Sequence, residues 1–353
     1  MKRRSVFVSA VLVVGVSAYS PIVICDEIAF RVSVVDERTS APCPNVSVTA
    51  VFTDIPKAMD GRSVNREVSC LTDSSGQCRF EGSSNNARAC YAVSSPSGFY
   101  ATPLVRYVAT NRVGCLSSYR CEPYDCVYTT VLQRIERPIP LYVRKVVLRN
   151  REDGIGGFNG TNAVLRYDMM AGDWLPPEGD GVHADMVIRT EYRVNGIQSD
   201  GISTLHLYDF VNVVEFPGAG NGFREESTTG KNMGLMVRTA PETGYRTRQM
   251  LMFGRRRKET KTAGLWPDNY SESRSDRCYS YRIRSKYDKN GNLVEACYGK
   301  IYGDFNFEGS AKSGLCGVEF LYYLNLTPND RNLEWDMKTN LCQDPGSTGV
   351  KRP

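Results

Sequence analysis

The segment VLQRIERPIPLYVRKVVL, residues 131–148, separates two parts of the chain that differ in composition. Eight of the twelve cysteines precede it and four follow it. Its centre, Arg137-Pro138-Ile139-Pro140, is stiff because each proline ring fixes φ and biases the preceding residue toward extended backbone. We therefore predict a short rigid joint over residues 134–144. A β-sandwich over 26–133 precedes the joint, and a larger β-rich domain over 145–342 and a disordered tail over 343–353 follow it.

Length and composition fit this division. A chain of 353 residues is too long for one ordinary core and suits two domains. Apolar residues make up 41% and charged residues 24%, which is typical of globular proteins. The formal net charge of +5 comes from 44 basic and 39 acidic residues. Such a mild excess does not indicate a nucleic-acid partner.

The first 25 residues read as an export segment. Lys2-Arg3-Arg4 precedes an apolar stretch over residues 6–16, and Ser17-Ala18 offer small residues for cleavage. A secretory signal peptide is the first interpretation. The alternative is an uncleaved anchor, because the apolar character continues through residues 21–25. Both predict a secreted or extracytoplasmic protein of the cell envelope, with membrane contact only through this segment.

Cysteines in an exported chain indicate disulfide bonds before they indicate metal. Cys115, Cys121 and Cys126 lack the spacing of a zinc site, and the chain has only two histidines. No Walker loop or dinucleotide fingerprint is present, so we predict neither a metal nor a cofactor. The disulfide candidates are Cys43, Cys70, Cys78, Cys90, Cys115, Cys121, Cys126, Cys278, Cys297, Cys316 and Cys342.

Apolar and polar residues alternate with the two-residue period of half-buried strands before the joint. The predicted strands are 28–34, 46–52, 66–72, 77–80, 88–94 and 104–110. The turn Asp73-Ser74-Ser75-Gly76 lies between two of them and predicts a hairpin.

Three segments of this part carry a resemblance: VVDERTSAPCPNVSVTAVF (34–52), SCLTDSSGQCRFEG (69–82) and YAVSSPSGFY (91–100). They resemble the carboxypeptidase regulatory-like or transthyretin-like β-sandwich. That resemblance implies a non-catalytic spacer or binding module without a family active site. The high cysteine content departs from the generic domain and favours bridges that replace part of a small core.

The part after the joint is rich in turn dipeptides between short apolar segments, which is typical of a sandwich or jelly roll. The fold class we predict is therefore all-β in both domains, with a jelly-roll-like second sandwich. Segments 167–186, 298–305 and 322–336 resemble motifs of an uncharacterised family of secreted bacterial proteins. That resemblance implies architecture and export only.

The sharpest local pattern is a hairpin over residues 279–301. Asn290-Gly291 favours a two-residue type I′ turn, which places Arg284 opposite Cys297. Cys278 then lies about 20 Å along the strand from the partner of Cys297, beyond disulfide reach. We therefore predict that Cys278 and Cys297 bond to Cys316 and Cys342, in an order that the sequence does not assign.

Residues 163–185 form the best candidate site. Their carboxylates and one indole could bind a sugar or calcium, because a flat ring stacks on a pyranose and hard cations prefer oxygen. The structural alternative is a long connection in which the Trp plugs the core edge and the acids are solvated. The candidate binding residues are Asp168, Asp173, Trp174, Glu178, Asp180, His183 and Asp185.

Two functions follow from these patterns. The first is a non-enzymatic binding or structural protein whose partner is an extracellular glycan or an envelope protein. The alternative is an enzyme acting on polysaccharide through a pair of carboxylates in the second domain. No catalytic residue is assigned for either, and the sequence does not specify an oligomeric state.

Overall fold

The computed structural model describes residues 26–54, 64–84, 88–100, 106–108, 111–115, 118–122, 124–148, 158–159, 161–199, 204–227, 237–256, 268–274, 277–309 and 314–343. The predicted export segment and residues 344–353 of the predicted tail lie outside these ranges. Within them the chain forms strands and no helix, which confirms the all-β class and the sandwich architecture. Consequently, these ranges contain no helix long and apolar enough to cross a membrane.

The strands of the first third are short to medium in length. They are β1 Asp26–Asp36, β2 Ser47–Asp54, β3 Val64–Leu71, β4 Gln77–Ser84, β5 Arg88–Val93, β6 Arg106–Val108, β7 Asn111–Cys115, β8 Ser118–Glu122 and β9 Cys126–Leu132. The later strands include several long ones. They are β10 Ile139–Leu148, β11 Phe158–Asn159, β12 Ala163–Asp168, β13 Asp173–Trp174, β14 Met186–Ser199, β15 Thr204–Glu215, β16 Gly222–Ser227, β17 Arg248–Arg256, β18 Asp268–Ser271, β19 Arg277–Tyr287, β20 Leu293–Gly309, β21 Leu315–Asn325 and β22 Trp335–Asn340.

The chain divides into two compact units. The first consists of Met1–Val34, Pro42–Ser94 and Val105–Thr129, and the second of Val35–Ala41, Ser95–Leu104 and Thr130–Pro353. The residues predicted as a joint fall in the second unit, where β10 takes up most of them. The domain boundaries drawn from the sequence stay predictions.

Two sheets build the sandwich of the first unit. One has the order β4-β1-β8-β7, with β9 also paired to β1, and the other has the order β3-β2-β5-β6. The alternating strands turn one face inward, so that Phe30, Phe52, Phe80 and Tyr91 are almost completely buried. The rings of Phe30 and Phe80 lie 5.4 Å apart across the β1–β4 pair.

The turn at residues 73–76 does not close a hairpin. β3 pairs with β2 and β4 pairs with β1, so the turn carries the chain from one sheet to the other. The local chemistry of the turn is as predicted: the Asp73 carboxylate accepts the amides of Ser75 and Gln77, both at 2.9 Å. The predicted hairpin is therefore wrong because local turn residues do not specify the strand's partner.

A disulfide bond between Cys70 and Cys78 links these two strands, with Cα atoms 6.2 Å apart. It confirms two of the disulfide candidates. Cys90 and Cys126 carry free thiols, so the prediction that they are bridged is wrong for this structure.

The second unit is a larger sandwich. Its seven-stranded sheet has the order β16-β19-β20-β21-β10-β22, with β11 paired to β21, and its six-stranded sheet has the order β13-β12-β14-β15-β17-β18. The core between them is strongly aromatic, with fully buried Tyr167, Tyr281, Tyr322, Phe210 and Phe216. The opposite face of the seven-stranded sheet is also covered, by small clusters around Trp335 and Leu333.

The β19–β20 hairpin differs from the predicted register by one residue at its centre. Ile283, not Arg284, lies opposite Cys297, because the ladder is bulged between Ile283 and Lys286. Arg284 has a φ of +54° at this bulge. The turn is also longer than two residues, since the Asp288 amide donates to the Asn292 carbonyl at 2.9 Å. The Asn-Gly signal thus located the hairpin but not its register.

This register separates two of the four cysteines of the second unit. Cys297 lies on β20 opposite Ile283, whereas Cys316 lies opposite Gly309, twelve residues further along β20. At strand rise this corresponds to roughly 40 Å. Cys297 and Cys316 both carry free thiols, so the predicted disulfide bonds involving them are wrong for this structure. Burial raises the pKa of both thiols.

Candidate functional site

The candidate segment is a compact loop at the end of β12. Tyr167 pairs with Trp174 and Asp168 pairs with Asp173, which folds the chain back on itself within seven residues. Tyr167 then pairs with Met186, where β14 begins. Asp168 and Asp185 therefore stand at the two ends of one loop.

The Asp168 carboxylate binds the loop from inside. Its Oδ1 accepts the amides of Met170 at 3.1 Å and Ala171 at 3.0 Å. Its Oδ2 accepts the amide of His183 at 3.0 Å. Because the side chain is only 2% exposed, these donors replace the water that a carboxylate otherwise requires.

The Asp185 carboxylate is 1% exposed and shares a guanidinium with Asp168. Arg284 Nε donates to Asp185 Oδ1 at 3.0 Å, and Arg284 Nη2 donates to Asp185 Oδ2 at 3.0 Å and to Asp168 Oδ1 at 2.8 Å. The amide of Met169 completes the set at Asp185 Oδ2, at 3.0 Å. We call Asp168, Asp185 and Arg284 the Arg284 clamp.

The bulge in β19 explains how Arg284 reaches this loop. In a regular strand Arg284 would face away from the core, because its neighbour Ile283 is fully buried in the core. The left-handed backbone at the bulge turns the arginine toward the two carboxylates instead. A local departure from regular strand geometry thus creates an ion pair between two distant parts of the sequence.

The two carboxylates of the clamp have opposite pKa shifts. Burial alone would raise the pKa of Asp168, but the backbone donors and Arg284 outweigh it and hold that pKa below its usual value. Burial raises the pKa of Asp185, and the bonds from Arg284 only partly oppose it. Asp168 is therefore the carboxylate that the loop stabilises most strongly as an anion.

Trp174 lies in the core of the second unit and is 6% exposed. Its ring packs edge-on against Tyr167, with centroids 4.8 Å apart. The predicted stacking platform for a sugar is therefore wrong for this structure. The structural alternative was right about Trp174, but its solvated acids are wrong for Asp168 and Asp185, which are buried and ion-paired.

The remaining candidates lie at the surface of the loop. Asp173 accepts the amide of Asp180 at 3.0 Å and so fixes the turn between them. Glu178 and the Asp180 side chain are exposed. The exposed His183 ring has its Nε2 3.7 Å from Asp185 Oδ1, so a protonated His183 would pair with the clamp. Gly181 is required here, because a Cβ would lie 2.8 Å from the Asp173 carbonyl oxygen.

A further buried carboxylate, that of Glu334, was not predicted from the sequence. Its Oε1 accepts the Tyr100 hydroxyl at 2.7 Å and the Glu136 amide at 2.8 Å, and its Oε2 accepts the Arg137 amide at 2.6 Å. The side chain of Asn332 donates to the Arg137 carbonyl at 2.7 Å. We call this set the Glu334 clamp. It holds the segment predicted as a rigid joint.

The signal for Glu334 was present in the sequence. Polar and apolar side chains alternate over residues 332–336, NLEWD, shortly after the largely apolar segment FLYYLNL at residues 320–326. Polar groups in such a position need defined partners, but their identity cannot be read from the pattern.

Lys300 is a further buried charge on the seven-stranded sheet. It is 1% exposed, its Nζ donates to the Val237 carbonyl at 3.3 Å, and it lies 5.1 Å from the centre of the Tyr323 ring. Burial lowers its pKa to about 7.

The described ranges contain no group of three or more His, Cys, Asp or Glu side chains arranged to hold a metal. The acidic residues of the candidate loop bond instead to backbone amides and to Arg284. These bonds fix the loop between Asp168 and Asp185 to β19 of the seven-stranded sheet.

Comparisons with known proteins identify no relative. No protein family and no curated protein matches the sequence. Among solved structures, 3-chlorocatechol 1,2-dioxygenase from Rhodococcus opacus 1CP matches at 13% identity and TM-score 0.20, over 31% of this chain and 61% of that one. A streptococcal ancillary pilin matches at 15% identity and TM-score 0.20, over 55% of each chain. BcpA, the major pilin subunit of Bacillus cereus, matches at 8% identity and TM-score 0.21, over 88% of this chain and all of that one.

These TM-scores are too low to carry an argument about fold or function. The chain spans 61% and 55% of the lengths of the first two structures. The resemblances to regulatory-like sandwiches and to a secreted bacterial family stay predictions.

Proposed function

We propose that this chain is a non-enzymatic structural and binding protein of the cell envelope. The observation that carries the proposal is the Arg284 clamp, because the two most buried acids of the candidate loop are committed to holding that loop. The export segment predicted from residues 1–25 supports the location. A glycan or an envelope protein is the proposed class of partner, recognised by a surface other than the buried Trp174.

The alternative is hydrolysis of a polysaccharide by Asp168 and Asp185. One observation favours it: the two carboxylates meet at one guanidinium, and their pKa values shift in opposite directions, as those of an acid and a base do. Against it stands their exposure of 2% and 1%, which leaves no open face for a substrate.

One experiment separates the two functions. The full chain is expressed in a bacterial host, the cells are fractionated and treated with external protease, and the purified protein is incubated with a panel of envelope polysaccharides. We expect envelope-associated, protease-accessible protein and no release of reducing ends. Retention in the cytoplasm would contradict the location, and hydrolysis that Asp185→Asn abolishes would establish the enzyme instead.

A further inference from the structure

The face of the six-stranded sheet that points away from the core carries buried valines, which we call the valine floor. On β15, Phe210 and Val214 point into the core, so Val211 and Val213 point outward. These two outward valines are nevertheless 8% and 7% exposed. A strand with apolar residues on both faces is typical of a strand covered on both sides.

A groove of about 300 Å³ lies over this floor, bounded by β12, β14, β15 and β17. Val164, Val211 and Val213 line it, together with Arg189, Glu191 and Arg248. Its volume is at the lower end of the range for small-molecule sites, which combine apolar surface with polar groups that orient the ligand. Here four of the nine lining residues are apolar and five are polar or charged.

The charges around the groove are balanced except at Arg248. Arg193 holds Glu191 through two bonds of 2.7 Å. Arg189 Nε lies 3.7 Å from Glu215 Oε2. Arg248 is exposed and forms no ion pair within the described part of the chain, although its backbone lies opposite Glu215. The groove therefore offers one unpaired guanidinium next to apolar surface.

We propose that this groove binds a small carboxylate with an apolar body, its chain on Val164, Val211 and Val213 and its carboxylate on Arg248. A guanidinium binds a carboxylate through two parallel hydrogen bonds, which orients the ligand as well as attracting it. The valine floor excludes water from one side of the ligand's apolar chain, which adds a contribution to the binding free energy that grows with the apolar area buried. Neither feature is used by the Arg284 clamp.

Sodium octanoate is the probe, titrated into the full chain by isothermal calorimetry and followed by saturation-transfer NMR. We expect one saturable site with a dissociation constant of about 1 mM, as the efficiency of such small ligands allows. 1-Octanol, which lacks the charge, and acetate, which lacks the chain, are expected to bind at least tenfold more weakly.

Arg248→Gln is the test variant, and Arg246→Gln is its matched control. Arg246 is 67% exposed in its side chain and lies outside the groove lining. We expect Arg248→Gln to weaken octanoate binding about tenfold or more, because a charge-assisted bond is lost. Arg246→Gln should bind as the unchanged protein does. Thermal unfolding midpoints within 2 °C of the parent, roughly the shift of a small surface change, establish that both variants fold.

Three results would overturn the proposal: no saturable octanoate binding, equal binding of octanol, or unchanged binding by Arg248→Gln. A fourth is self-association in light scattering that Arg248→Gln abolishes, which would assign the groove to a second copy of the chain. None of these results would affect the proposed envelope role, which rests on the Arg284 clamp and the export segment.

Discussion

The Arg284 clamp and the Glu334 clamp both hold an irregular segment through buried carboxylate oxygens, but the hydrogen-bond donors differ. Each buries carboxylate groups against the seven-stranded sheet and holds an irregular segment there. Asp168 and Asp185 share a guanidinium, whereas Glu334 is bound by two backbone amides and a tyrosine hydroxyl. Because both carboxylates of the first clamp pair with one guanidinium, that clamp depends on the Arg284 side chain. The second clamp takes two of its three donors from the backbone, so substitutions of Glu136 or Arg137 other than proline leave those two donors in place.

The largest effect should come from Arg284→Met. The methionine keeps an apolar stem but leaves two buried carboxylates without their cation, which typically costs about 3–5 kcal/mol. We expect the free energy of unfolding to fall by about that amount in urea titrations. A loss below about 1 kcal/mol would show that the loop does not depend on the ion pair.

Glu334→Gln should have a smaller effect. The amide keeps one acceptor oxygen, and its NH₂ group faces a donor that previously had a partner, so about 1–3 kcal/mol should be lost. Urea titration under the same conditions gives the direct comparison with Arg284→Met. A larger loss than that of Arg284→Met would reverse the order of the two clamps.

Lys300 makes the free energy of unfolding depend on pH. It lies on the face of the seven-stranded sheet that points away from the main core of the second unit. Its pKa of about 7 in the folded state lies below the 10.5 of an ordinary lysine, so the unfolded chain binds more protons between these two values. Stability should therefore rise with pH over that window, by at most about 1.4 kcal/mol per pH unit from this group. Below about pH 7 the folded lysine is protonated and this gain is absent.

Lys300→Met tests that dependence. Unfolding in urea is measured for both chains at several pH values from 7 to 9, and the difference between them isolates the contribution of Lys300. We expect the difference in favour of the methionine variant to shrink as pH rises. A difference that stays constant with pH would contradict a lowered pKa.

The smallest effect should come from Lys286→Met, two residues after Arg284 on the same strand. Lys286 Nζ lies 2.7 Å from Glu295 Oε1, but the two side chains are 65% and 41% exposed. Exposed pairs of this kind contribute at most about 1 kcal/mol. Because it changes the same hairpin as Arg284→Met, this variant is the matched control for that substitution.

The sequence predicted the elements of the fold better than their partners. Alternation located strands near β1, β2 and β5, because a half-buried strand needs a period of two. It did not reveal that β3 and β4 belong to different sheets. Strand pairing depends on contacts between distant segments, which a local pattern does not contain.

The candidate loop shows the same limit. Two of its acidic residues, Asp168 and Asp185, meet at Arg284, but Arg284 is 116 residues away from Asp168 and reaches it only through a bulge that shifts the register. Glu334 lies 198 residues from the amide of Glu136 that it accepts. Buried carboxylates required partners on physical grounds, but only the folded chain shows which ones.

Amide hydrogen exchange tests the central claim most directly, namely that the carboxylates of the candidate loop are structural. In the unchanged protein, the amides of Met169, Ala171 and His183 should be protected, as should those of Glu136 and Arg137. Arg284→Met should abolish protection in the first group and leave the second group protected. Full protection of Met169, Ala171 and His183 in that variant would contradict the claim.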